Sequence, residues 1–259
     1  MPAVLCLAGV ASSSTRASGT DLSPSFISTI IQSGQQVTNR PAVAGSKAAV
    51  GARRLVGSVD MSAAAAAGVS ADVLKLALGA VTCAAHSGVI AAPPTLTLID
   101  YSRPSVEPRL WVFDLTTGDL LFNELVAHGR NTGENMATQF SNDAESRESS
   151  LGLFVTDAPY VGGNGYSLRL DGLEPGFNDH ARERAIVMHG APYVDEALAA
   201  TQGRIGRSWG CPALRPAIAR QVIDRIRGGG VIFSYYPDQT WLRTSRFLNG
   251  CGLSASATH

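Results

Sequence analysis

Charge of one sign and long apolar runs are both missing from this 259-residue sequence. The 21 basic residues are balanced by 21 acidic ones, so the chain has no excess field to attract nucleic acid or anionic lipid. No apolar run approaches the roughly 20 residues that a membrane-spanning helix needs. We therefore expect neither a nucleic-acid partner nor an integral membrane segment.

Cysteine is scarce as well, with only four residues: Cys6, Cys83, Cys211 and Cys251. None stands in a CxxC pair or near histidine at the spacing of zinc ligands, so no metal site is predicted. Each cysteine is then core filler, half of a single bridge, or a nucleophile. Cys83 lies on a predicted helix, where core packing is the expected role, and a Cys83–Cys251 bridge stays open if the protein is exported.

Lysine is nearly absent, because 19 of the 21 basic residues are arginine. A coding bias is the ordinary interpretation. The functional interpretation is that planar guanidinium groups recognise carboxylates better than ammonium groups do. Four arginines close to the motif described below fit either a solvated surface or carboxylate capture, namely Arg204, Arg207, Arg215 and Arg220.

The N-terminal third differs from the rest of the chain in composition. Residues 1–19 combine a short apolar stretch with small residues, which is typical of the second half of a secretory signal whose basic start is missing. Residues 20–92 are predicted to form a low-order linker and one amphipathic helix, with Ser70 as its N-cap and Gly88 after its end. We therefore expect an exported protein of the periplasm or cell envelope.

Hydrophobic periodicity changes from helical to alternating after Pro93-Pro94. The alternating segments predict a mainly β domain over residues 93–243, followed by a tail over 244–259. Two helices are expected within it, near 195–201 and over about 212–227. The predicted strands cover residues 95–100, 110–115, 120–127, 151–156, 166–170, 185–188 and 231–236.

Two segments carry the chemistry, AIVMHG ending at Gly190 and GRSWGCPA around Cys211. A histidine at the end of a buried strand is held by the sheet and faces its rim, so His189 is a candidate general base. Cys211 is expected just before a helix with Pro212 at its first position, where the helix dipole would favour a thiolate and lower its pKa. The N–H groups of Gly210 and Cys211 could then stabilise an oxyanion. A buried structural cysteine and a satisfied histidine are the ordinary alternative.

The spacing of these residues resembles the His-Gly … Ser/Thr-x-Gly-Cys signature of L,D-transpeptidase catalytic domains of the YkuD type, in the murein L,D-transpeptidase branch. The similarity covers about residues 95–240. It implies a sandwich-like fold with a few flanking helices, Cys211 as nucleophile and His189 as base. It further implies that Ser208 shapes the site and that Gly210 contributes to the oxyanion hole.

The resemblance also implies the reaction. Members attack the bond between the L-centre of the third residue of a peptidoglycan stem and the following D-Ala. The acyl group then passes to an amine of another stem, to a protein amine, or to water, so that transfer and L,D-carboxypeptidase or protein-releasing activity are alternatives. No metal or organic cofactor is implied. A non-catalytic envelope-binding domain is the alternative from another class.

Two departures from the family pattern affect substrate binding. Trp209 stands where better-known members carry a second histidine, and Ala213 stands where they carry arginine or asparagine. His189 must then act alone as base, and Arg215 is one candidate for the missing basic group. The predicted substrate-binding set is completed by Gly190, Arg207 and His128, the last being either a cleft residue or a solvated histidine at the end of a hairpin.

Overall fold

A computed structural model describes residues 59–251 of the chain. The predicted export signal and the greater part of the predicted linker lie outside these residues. Within the described part, no helix has the length and apolar character needed to cross a membrane. The helices are α1 (Met61–Ala66), α2 (Ala71–His86), α3 (Glu196–Gln202), α4 (Pro216–Ile226), α5 (Gln239–Thr244) and α6 (Arg246–Asn249).

Eight strands form one mixed sheet in the order β3-β2-β1-β8-β4-β5-β6-β7, which confirms the mainly β prediction. The last strand in sequence lies at the centre, parallel to β1 and antiparallel to β4. The strands are β1 (Thr95–Asp100), β2 (Leu110–Asp114), β3 (Leu120–Glu124), β4 (Gly152–Gly162), β5 (Gly165–Gly172), β6 (Val187–Gly190), β7 (Ala213–Leu214) and β8 (Val231–Tyr235).

Both faces of the central strands are buried, because successive side chains of a strand point to opposite sides. Leu98 and Phe233 join a core that α2 covers, whereas Ile99 and Ile232 join a second core that α4 covers. Each fully buried aliphatic or aromatic side chain contributes about 1.5–3 kcal/mol, so these two cores hold the central strands in place. Apolar side chains accordingly continue along β2 and β8, and the threonines of β1 are buried together with its leucines.

The packed unit is longer than the predicted 93–243 domain at both ends. Leu74 and Val81 of α2 and Phe247 of α6 are buried in the same core as β1 and β8. A disulfide joins Cys83 to Cys251, which resolves the alternative that the sequence left open. Residues 244–251 therefore contain a packed helix, which the disulfide at Cys251 holds in place, and do not form the predicted tail. Strand periodicity does not reveal such flanking helices, because their contacts are visible only in three dimensions.

The two edges of the sheet meet through the segment that follows β3. Ala127 forms a bridge with Ala213 of β7, and its N–H donates to the Ala213 carbonyl at 2.9 Å. In the residues directly after Ala127, the Ser208 N–H donates to the His128 carbonyl, and the Arg130 N–H donates to the Ser208 carbonyl. This closure fixes the loop before β7, which is the loop that carries Cys211.

Candidate active site

Cys211 lies two residues before β7 with only 8% of its surface exposed. Its Sγ accepts a hydrogen bond from the Val187 N–H at 3.4 Å and lies 3.7 Å from the Ala185 carbonyl oxygen. Only the thiol form can donate to that carbonyl. The sulfur is therefore seated against the start of β6.

The helix predicted to begin at Pro212 begins four residues later, at Pro216. Two prolines in the segment CPALRP could each occupy the first helical position, and Arg215 has the extended conformation of the residue before the helix. Ala213 and Leu214 form β7 instead. The predicted helix-dipole activation of Cys211 is therefore wrong. Burial raises the pKa of the Cys211 thiol, with opposing contributions from the Val187 N–H and from Arg184.

His189 is buried on β6 and is oriented by the carbonyl of the next residue. Its Nδ1 lies 3.0 Å from the Gly190 carbonyl oxygen. Because a carbonyl can only accept, Nδ1 carries the proton and Nε2 of the neutral ring is left with a lone pair. Burial lowers the pKa of His189, and the bond to Gly190 opposes that shift. The ring is thus a neutral imidazole with its basic nitrogen unoccupied within the described residues.

Strand register brings the thiol and the imidazole onto neighbouring segments. β6 and β7 run parallel with His189 opposite Ala213, two residues after Cys211. The thiol touches Val187, two residues before His189. The two groups are therefore offset by two residues, or roughly 7 Å of strand. No hydrogen bond joins them among residues 59–251.

A tight turn built by Ser208 presents the thiol. The Ser208 hydroxyl accepts from the Gly210 N–H at 3.0 Å and donates to the Cys211 carbonyl at 2.6 Å. Gly210 has a φ of 121°, and a Cβ there would lie 2.8 Å from the Glu148 carbonyl oxygen. Only glycine fits this position. The Gly210 N–H is occupied, which contradicts its predicted role in an oxyanion hole, whereas the Cys211 N–H donates to no other residue in the described part of the chain.

Arg184, which no motif in the sequence marked, holds the loop opposite this turn. Its guanidinium donates to the Ser141 and Glu148 carbonyls at 2.7 Å and to the hydroxyls of Ser150 and Ser146. Its positive charge favours the Cys211 thiolate, although burial of the sulfur outweighs that effect. An arginine just before a buried strand was the available signal, but nothing in the sequence indicated its four acceptors.

A buried pair supports the same turn from behind and was also missed. The Ser149 hydroxyl accepts from the Gly129 N–H at 3.0 Å and donates to the Gly210 carbonyl at 3.3 Å. Tyr101 is fully buried beside Ser149, and burial raises the pKa of its phenol to about 12. Tyr101 therefore stays a neutral donor at physiological pH.

The predicted cleft role of His128 is wrong, since only 1% of its surface is exposed. Its Nδ1 accepts from Arg109 at 2.8 Å, so its Nε2 carries the proton and faces the Gly133 carbonyl at 3.3 Å. Burial, reinforced by the charge of Arg109, lowers the pKa of His128 to about 4. The neutral ring of His128 has a structural role in the segment that joins the two edges of the sheet.

Arg207 and Arg215 are committed to protein partners, which contradicts their predicted substrate-binding roles. Arg207 donates to the Arg130 and Gly133 carbonyls and forms an ion pair with Glu134 at 2.7 Å. Arg204 shares that glutamate. Arg215 forms a two-point pair with Glu124 and reaches Glu196 at 3.1 Å. Gly190 acts through its carbonyl, which orients His189, instead of lining a substrate surface.

Trp209 lies beside a cleft of about 620 Å³ with 69% of its surface exposed. The Arg147 guanidinium stacks on its ring at 5.0 Å. The described non-glycine residues with positive φ all lie at this site, namely Glu145, Arg147 and Ala185. Such conformations cost about 1–3 kcal/mol each and are found where the surrounding structure enforces them. The backbone around the cleft is thus held in a shape that it would not adopt alone.

The family model described as L,D-transpeptidase catalytic domain matches residues 65–235, about two thirds of the chain. No curated protein matches it in sequence. Three solved structures, with low TM-scores, are similar: an L,D-transpeptidase from Mycobacterium smegmatis (15% identity, TM-score 0.35, 55% of this chain and 59% of that one), L,D-transpeptidase 1 from Mycobacterium tuberculosis (15%, 0.30, 55% and 62%), and an L,D-transpeptidase from Stackebrandtia nassauensis (13%, 0.34, 79% and 98%). The chain spans about three fifths of the two mycobacterial proteins.

Proposed function

Because the chain belongs to the L,D-transpeptidase catalytic domain family, we propose that it is a cysteine acyltransferase acting on the stem peptides of peptidoglycan. The observation that carries this proposal is the state of His189. Its Nδ1 is fixed by the Gly190 carbonyl and its Nε2 is unoccupied, on the strand next to Cys211. A base oriented in this way is what a thiol nucleophile requires. A binding domain would have no use for it.

The thiol and the imidazole rest as a neutral pair in this proposal. Burial raises the pKa of Cys211 and lowers that of His189, so both shifts disfavour a resting thiolate–imidazolium pair. The His189 ring moves to within hydrogen-bond reach of the thiol when the substrate binds, and its Nε2 takes the Sγ proton as the sulfur attacks the carbonyl carbon of the third stem residue. A C–S bond forms, the carbonyl oxygen receives the electron pair, and the Cys211 N–H donates to it. The C–N bond to D-Ala then breaks, and its nitrogen takes the proton from His189.

The thioester is resolved by the same groups in reverse. An acceptor amine of another stem, or a protein amine, attacks the thioester carbon while His189 accepts its proton. The C–S bond breaks and the sulfur regains the proton. Water in place of the amine gives an L,D-carboxypeptidase, or a peptidase that releases proteins from peptidoglycan. His189 performs every proton transfer in each case, since Trp209 has no basic nitrogen.

An oxidising compartment is part of the proposal. The Cys83–Cys251 disulfide supports a location in the periplasm or elsewhere in the cell envelope, because such bonds are rare where glutathione and thioredoxin keep thiols reduced. Cys211, the other cysteine of the described residues, is free. The compartment therefore has to leave one thiol reduced while the bridge stays closed.

Intact-protein mass spectrometry with defined tetrapeptide muropeptides tests the proposal. The full chain is expected to gain the mass of a tripeptide acyl group and to release D-Ala, and the Cys211→Ala variant is expected to do neither. A variant with both Cys83→Ala and Cys251→Ala retains the nucleophile and is the matched control that should still acylate. Release of D-Ala by Cys211→Ala at the wild-type rate would overturn the mechanism.

The muropeptide products separate the acceptors. Dimers indicate transfer to an amine, and tripeptides indicate hydrolysis. A non-catalytic binding domain would instead bind the stems with no change in the mass of protein or peptide.

A further inference from the structure

We infer that Arg147, stacked on Trp209, binds a carboxylate of the substrate on the leaving-group side of Cys211. This inference rests on the proposed function and adds a residue to its specificity. The sequence pointed to four other arginines, three of which are bound to glutamates of the chain. The fourth, Arg220, stacks on Tyr166 elsewhere on the surface.

Arg147 is exposed and has no anionic partner within the described residues. Its charge is not neutralised by the chain, in contrast to those of Arg207 and Arg215. Two glutamates line the same cleft, Glu145 and Glu183, and no ion pair joins either of them to a described residue. The guanidinium is therefore available to a ligand, and its planar fork matches a carboxylate with two parallel hydrogen bonds.

The backbone under Arg147 is fixed although its side chain is exposed. The Asn131 side chain donates to the Ser146 carbonyl at 2.7 Å, and the Asn131 N–H donates to the Arg147 carbonyl at 3.2 Å. Arg184 holds the next carbonyl, that of Glu148. Three successive carbonyls are thus bound around a residue with a φ of 56°. A guanidinium on such a support loses little freedom when it binds a ligand.

Trp209 limits the position of the guanidinium and connects it to the nucleophile. The stacking distance of 5.0 Å is that of a cation–π pair. Trp209 is joined to Cys211 through Gly210 alone, and Arg184, whose charge acts on Cys211, lines the same cleft as Arg147. A ligand on Arg147 therefore lies in the cleft that adjoins the turn of Cys211.

One carboxylate position serves both halves of the reaction. The leaving D-Ala and the entering amine occupy the same side of the thioester, because each is attached at the same carbon. A carboxylate on either would meet the same guanidinium. The two glutamates of the cleft would repel a second anion and favour an ammonium group on the entering molecule.

Binding to the Cys211→Ala chain tests the inference without any covalent step. The probes are a tetrapeptide stem with a free C-terminal carboxylate and the same stem with a C-terminal amide. Trp209 fluorescence reports on the site, because Trp111 and Trp241 are fully buried. The Arg147→Gln change is expected to weaken binding of the acid roughly tenfold and to leave binding of the amide unchanged. The affinity of the Arg147→Lys variant for the acid should lie between that of the parent Cys211→Ala chain and that of the Arg147→Gln variant.

Arg220→Gln is the matched control, since it removes another arginine stacked on an exposed ring and should alter neither affinity. Equal affinity of acid and amide for the parent chain, an equal loss for both with Arg147→Gln, or no measurable binding of the acid would overturn the inference. Failure of the proposed function has a different signature. The wild-type chain would then form no thioester, while discrimination between acid and amide could still be measured on the Cys211→Ala chain.

Discussion

Two His-Gly pairs lie at or just after the end of a strand in this chain, and the fold uses them differently. His128 has both ring nitrogens occupied, by Arg109 and by the Gly133 carbonyl. His189 has one nitrogen bound to the Gly190 carbonyl and the other unoccupied within the described residues. The sequence presents the two pairs alike. What separates a strut from a base is therefore the number of ring nitrogens that the fold satisfies.

Their partners explain the difference. The guanidinium of Arg109 is fully buried and directs four donor contacts at the Val126 carbonyl, the Arg103 carbonyl and His128. A buried cation requires acceptors, and His128 supplies one of them. His189 has no such demand on its Nε2. The fold uses His128 in its own closure and leaves Nε2 of His189 without a partner among the described residues.

The largest expected effect separates the two histidines by activity. His189→Gln should lower kcat/KM for stem acylation by about 10²–10⁴-fold, because it removes the only base in the proposed mechanism. His128→Asn should lower it by less than about tenfold, since its imidazole touches no reacting group. Steady-state release of D-Ala measures both. Comparable losses in the two variants would erase the distinction.

The second expected effect is on stability in acid. The pKa of His128 is about 4 in the folded chain, below its ordinary value, so the unfolded chain binds a proton over that interval and the folded chain does not. This contribution is complete above pH 6.5 and is lost as the pH falls toward 4, by about 3 kcal/mol. Urea unfolding across this range measures it.

The His128→Asn variant is the control for that titration. Asparagine keeps an acceptor for Arg109 and has no proton to gain, so its acid dependence should be shallower by the same amount. Parallel curves for variant and parent would show that another group is responsible.

The third expected effect concerns the glycines of the two pairs. A Cβ on Gly129 would overlap the Arg147 carbonyl, which is backbone and cannot move aside. A Cβ on Gly190 would lie 3.0 Å from the Ala219 Cβ, a contact that small shifts can relieve. Gly129→Ala should therefore destabilise the chain by about 2–3 kcal/mol and Gly190→Ala by about 1 kcal/mol. Urea midpoints rank them, and the reverse order would contradict the packing described.

The smallest expected effect tests whether the Cys211 thiol and the His189 imidazole rest as a neutral pair. A neutral pair predicts slow iodoacetamide labelling of Cys211 near pH 6 and an increase of about tenfold per pH unit toward pH 8, since the thiolate is the reactive form and burial raises the thiol pKa. Peptide mapping isolates Cys211 from Cys6. A rate already at its plateau at pH 6 would instead indicate a resting thiolate–imidazolium pair.

The sequence was sufficient for most of the strands and for the two segments of the site, although β7 was predicted as part of a helix. Apolar residues indicated β1, β2 and β8, whose side chains are almost all buried. The motif brought His189, Ser208 and Cys211 together, and family membership supports that grouping. The start of the last long helix was misplaced, because two prolines four residues apart carry the same local signal.

Partners distant in sequence could not be predicted. Arg215 lies 91 residues from Glu124, and Arg207 lies more than 70 from Glu134, so nothing local marked them as occupied. Arg147 and Arg184 lie on different loops, before β4 and before β6, and hydrogen bonds from Arg184 to Ser146 and Glu148 join the two loops. Contacts between residues distant in sequence decide which arginines form ion pairs within the chain. No short pattern in a single sequence reveals those contacts.

The order of synthesis has a consequence that follows from the central position of β8. Strands β1–β3 and β4–β7 are made first, whereas β8, which lies between β1 and β4 in the sheet, is made after both groups. Ser208 is clamped by the segment after β3, while Cys211 and His189 belong to the other half. In the proposed mechanism, every reacting group is therefore synthesised before the strand that completes the sheet.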